Sequence, residues 1–193
     1  LGYVKHTQRV ALPHVQGLVL ENESEFVTMD AATRRNLEIS ETLRGEAEPT
    51  LLSLLDTTST SMGSRRLRHW LHHPLRDVNT LRLRHDAIRV LIGEPGRHCY
   101  DDLRETLKQI VDIERITARI ALGNARPRDL SGLRDSLAAE PMLARLLAML
   151  DSPRIAVLSA ALHIDSSIES LARRALQDEP ASVIREGGVI RTG

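Results

Sequence analysis

A chain of 193 residues has room for one domain of ordinary size with a core of its own. Its 26 basic and 26 acidic residues cancel to a formal charge of zero, which excludes an overall field drawing the chain onto a polyanion, so any nucleic-acid contact must come from a local patch. Aromatic residues make up only 2%, too few for base-stacking platforms, and the single cysteine, Cys99, excludes an intramolecular disulfide and a thiolate zinc site.

Residues 1 to 8 read as the tail of a helix, which Leu12-Pro13 breaks because proline lacks an amide donor and restricts its predecessor. Val15 to Leu20 and Phe26 to Met29 are apolar and partly β-branched, with the polar Glu21 to Glu25 between them. That spacing predicts a small two-stranded hairpin, which must pack on something else to be stable. From Asp30 the pattern turns helical: Asp30 is placed to cap the next amides, and Leu37 to anchor the short helix in a core. Gly45 and Pro49 interrupt it. Thr60 or Ser61 starts another helix, with Leu67, Trp70 and Leu71 on one face and Arg65, Arg66, Arg68 and His69 around the rest, and Pro74 ends it.

The same plan then repeats. Apolar stripes at three-and-four spacing run through Leu81, Ile88 and Leu91; Leu103, Leu107 and Ile110; and Ile113, Ile116 and Ile120. Further stripes follow at Leu130, Leu133 and Leu137; Leu143, Leu146, Leu147 and Leu150; Ile155, Leu158 and Leu162; and Ile168, Leu171, Ala175 and Leu176. Breakers at Gly93 to Gly96, Gly123 to Pro127 and Glu140-Pro141 separate them. The fold class is therefore mostly α, a multi-helix array with a small N-terminal β-hairpin, and Ile184 to Gly193 reads as a glycine-containing exit segment. No apolar run reaches the roughly 18 residues of a membrane span, and Leu1 to His6 lacks the layout of a signal peptide, so a cytoplasmic protein without a membrane partner is expected.

Candidate chemistry is sparse. His69, His72 and His73 have helical spacing, but no acidic residue joins their stripe and no His-Glu-x-x-His occurs, so surface or interface histidines are the favoured reading over a metal site. Asp112 and Glu114 stand two apart, which on a helix points them away from each other; solvation or pairing with Arg115 is expected rather than acid–base work. Gly187 to Gly193 lacks the Lys-Ser or Lys-Thr of a phosphate loop. Arg34, Arg35, Arg65, Arg66, Arg68, Arg126 and Arg128 remain, as phosphate contacts or as structural ties to carboxylates and helix ends. The neutral net charge favours the structural role, above all at Ala125 to Asp129.

Five segments in order carry a resemblance: Met29 to Ile39, Ser61 to Asp77, Asp112 to Ile116, Asn124 to Leu130 and Gly187 to Ile190. Together they resemble the core, or lever, domain of the bacterial MutS family of DNA mismatch repair proteins. The resemblance implies residues 1–28 as the end of a connector domain and junction hairpin, and 29–193 as the first part of the core, ending before the DNA-gripping clamp. Leu1 in place of an initiator Met fits excision from a longer chain. The family's Phe-x-Glu recognition motif is absent, since the one phenylalanine, Phe26, is followed by Val27 and Thr28; its phosphate-binding loop is absent too. What the resemblance implies is thus a part without catalytic activity or a cofactor of its own. ATP and magnesium belong to the parent family, whose partners are mismatched double-stranded DNA, a second MutS copy and a MutL-type protein. An excised first half is expected to leave Leu158, Leu162, Leu171 and Leu176 uncovered, and so to dimerise. The rival readings are an autonomous helical DNA-binding module and a protein-interaction scaffold.

Overall fold

The computed structural model describes residues 17, 20, 22–93, 99–181, 185 and 187–191. Among them lie ten α-helices: α1 (Ala31–Asn36), α2 (Leu51–Leu55), α3 (Ser61–His72), α4 (Val78–Ile92), α5 (Cys99–Leu107), α6 (Ile113–Ala121), α7 (Pro127–Ala138), α8 (Glu140–Ala148), α9 (Pro153–Ala161) and α10 (Ser166–Ala175). Their starts follow local chemistry. Asp30, Thr60, Asp77, Asp112 and Asp165 each accept a backbone N–H of the first turn, while Pro127, Pro141 and Pro153 stand where a helix has no use for an amide donor.

Four helices close a ring: α4 packs on α5, α5 on α8, α8 on α9 and α9 back on α4. Ala87, Leu103, Leu143, Leu150 and Ile155 form its buried centre, with Val90, Leu107, Ile110 and Leu147 packed around them. A second group sets α7 against α6 and α10, around Ile116 and Leu137. Here Gly132 eases a close approach, because a Cβ would meet the Val111 side chain at 3.1 Å, tight enough that the valine would have to give. The Val111 amide instead donates to the buried Ser136 hydroxyl at 3.0 Å, which itself donates to the Gly132 carbonyl. In a third group α2 packs on α3.

Several expectations need correction. The first half of the anticipated hairpin lies mostly outside the described residues, and no strand occurs among those described. Phe26 forms an isolated antiparallel bridge with Leu75, the Val27 amide donating to the Pro74 carbonyl and the Arg76 amide to that of Glu25. The anchor of the α1 region is Ile39, 4% exposed, and not Leu37, 54% exposed. α1 stops at Asn36 and Glu38 turns the chain with φ of 45°, which carries Ile39 inward instead. On α4 the buried position is Ala87, while Ile88 faces outward. Of the four leucines expected to lack partners, Leu176 is buried and Leu162 packs on the ring; Leu158 and Leu171 stay exposed. Leu176 is covered because the Gly187–Ile190 segment folds back on it, bridging Ile190 to Leu176, with both glycines at positive φ.

Candidate anion-docking recess

The seven arginines separate into two kinds. Arg65, on α3, grips the Asp112 carboxylate with both terminal nitrogens at 2.7 Å and also reaches Glu114 at 2.6 Å. The two carboxylates therefore converge, contrary to expectation. Asp112 is the N-cap of α6, outside the helix proper, so the helical rule for residues two apart does not govern it. Hydrogen bonding to Arg65 is the main reason that Asp112 stays ionised below the ordinary carboxylate range. Asp112 also sits 3.5 Å from Arg115, the anticipated partner.

Arg66 lies 5.8 Å from the Trp70 ring centre, and Arg84 of α4 covers the same ring at 4.0 Å. This indole ties α3 to the four-helix ring. At the α6–α7 junction Asp129 accepts the Arg126 amide at 2.9 Å and the Arg119 guanidinium at 2.8 Å. Burial acts to raise the Asp129 pKa, but the Arg126 amide and Arg119 charge outweigh it and the net shift is downward. Arg119 and Arg134 were missed by sequence reasoning. Arg134 donates to the carbonyls of Gln177 and Asp178, tying α7 to the end of α10 across a sequence distance that no local pattern spans.

Arg34, Arg35, Arg68 and Arg128 form no ion pair among the described residues, and neither does the Arg126 guanidinium, whose residue enters its junction through the backbone amide. Arg34 and Arg35 line an open recess of about 510 Å³ with Arg44, Ile39, Leu43 and His72; Glu41 is the sole carboxylate in its wall. His72 shares a hydrogen bond of 2.9 Å with the Ser40 hydroxyl. Desolvation, followed by the charges of Arg34, Arg68 and His73, pushes the His72 pKa down. His69 and His73 turn elsewhere, stacked at 4.6 Å with Phe26 edge-on to both, so the three imidazoles occupy two neighbourhoods. Among the described residues no group of three or more metal-ligating side chains comes together.

Guanidinium groups in this arrangement suit an oxyanion, and the Ser40–His72 pair stands in the same recess. Residues 32–192, nearly the full run of helices, match the family model of MutS domain III. The chain therefore belongs to the MutS family of DNA mismatch repair proteins, of which it carries the helical core domain.

Proposed function

We propose that this domain is a mechanical lever in a larger mismatch-repair ATPase. It joins a clamp that holds DNA to the part that hydrolyses ATP, and does no catalysis itself. The observation that carries the reading is the way α3 is cross-tied, to α6 through Arg65 with Asp112 and Glu114, and to α4 through Trp70 and Arg84. These ties make three helix groups move together, so a displacement at one end reaches the other without being absorbed by sliding. ATP, magnesium, a second MutS copy, a MutL-type partner and mismatched duplex are then properties of the whole protein in the cytoplasm, and this chain contributes stiffness and connection.

The test is a salt series of binding between this chain and matched and mismatched duplexes, with ATP turnover measured on the same sample. Feeble, mismatch-blind binding without turnover supports the lever. Strong mismatch preference or genuine turnover overturns it, and tight mismatch-blind binding that falls steeply with salt would favour an autonomous DNA-binding module.

A further inference from the structure

The stretch from α1 to α2 carries two features that a stiff connector does not use. One is the recess, where Arg34, Arg35 and Arg44 face a single carboxylate. The other is a shallow groove of about 590 Å³ beside it in the chain, walled by Leu37, Leu51 and Leu54 together with Glu38 and Glu48. Leu54 is 76% exposed, Leu37 54%, and Leu43, which borders the recess next to Arg44, 53%. We propose that this stretch is a docking surface for a protein segment that carries carboxylates beside aliphatic side chains.

Charge complementarity selects that partner. Guanidinium forks match carboxylates in shape and charge, and these have no ion-pair partner among the described residues. Exposed leucines gathered in one stretch mark an apolar contact face. Glu41 is the one carboxylate lining the recess, whereas Glu38 and Glu48 wall the groove, so a discrete carboxylate fits at the recess with the aliphatic side chains in the groove, and a continuous polyanion crossing both, such as a duplex backbone, meets repulsion. The surface is also built in advance. The Leu43 amide donates to the Glu38 carboxylate at 2.7 Å and the Glu46 amide to the Thr42 hydroxyl at 3.0 Å. The Leu51 and Leu52 amides donate to the carbonyls of Glu38 and Ile39. A turn held this way loses little further freedom when a partner arrives.

The experiment is selection of a displayed random-peptide library on the full 193-residue chain. Selected peptides are then synthesised and titrated against the unaltered protein, Arg44→Glu and Leu54→Ser, with a labelled duplex titrated in parallel. Selected peptides are expected to place Asp or Glu next to Leu, Ile or Val. Arg44→Glu should weaken them by about tenfold or more and Leu54→Ser several-fold, with far-UV circular dichroism unchanged. Arg34→Glu, on a different element, should repeat the loss. No enrichment, peptides of neutral or basic composition, binding indifferent to these substitutions, or duplex binding that Arg44→Glu removes would each overturn the proposal. Those outcomes leave the lever reading untouched, because it is tested by mismatch preference and turnover.

Discussion

The four-helix ring and the α1–α3 region are built on different physics. In the ring, stability comes from interlocked methyl groups: Ile155 is 3% exposed and Leu143 6%, and these neighbouring helices pack them with Ala87 and Leu103 from helices far earlier in the chain. The α1–α3 region buries few apolar side chains and leaves Leu37, Leu43, Leu51, Leu54 and Leu55 open to solvent. Caps and local hydrogen bonds hold it instead, as in the reciprocal pair between Thr50 and Ser53. One region therefore supplies rigidity, and the other offers surface whose side chains are free to meet a partner. Stability and recognition are separated along the chain, so substitutions should separate them too.

The sharpest break of that contrast is Ile155→Ala. It removes atoms from the middle of the ring, and should cost about 2–4 kcal/mol in urea unfolding. A cost near zero would mean the ring is not the stabilising unit. Thr50→Ala strips α2 of its cap and should cost about 1 kcal/mol, read in the same titration. If its cost equals that of Ile155→Ala, the two regions do not differ as argued.

Asp112 probes the tie from α3 to α6, outside the ring. Its folded pKa is depressed, so its contribution is fully present above the ordinary Asp value of about 4 and is lost as pH falls through the lower folded value. Asp112→Asn should lower stability near neutrality by less than the core truncation and flatten the acid limb below about pH 4. An acid limb as steep as before would remove Asp112 from the brace. Smallest of all, Arg34→Ala and Leu54→Ser should change stability by no more than about 0.5 kcal/mol, since both side chains are exposed. A larger loss would make the docking surface part of the core.

Helix starts were legible because each is decided within a few residues. Asp30 accepts the Thr33 amide and Thr60 that of Gly63, as the local pattern foretold. The stripes at Leu103, Ile116, Leu137 and Leu143 fell inside for the same reason: a periodic face must bury somewhere. Failures came where one turn shifts the register. Leu37 and Ile39 exchange roles because the chain leaves the helix between them and Glu38 bends it at positive φ. Asp112 and Glu114 meet on Arg65 because one of them is a cap.

Composition, periodicity and five ordered motifs by themselves determined a mostly helical chain of the MutS core type, since helix formation and family signatures are both written in short stretches. Only the tertiary structure decided which arginines brace helices and which stay open in the recess. An arginine's role is set by whether a carboxylate, carbonyl or indole from a distant helix arrives within about 3–6 Å, and nothing in its own neighbourhood along the chain encodes that arrival.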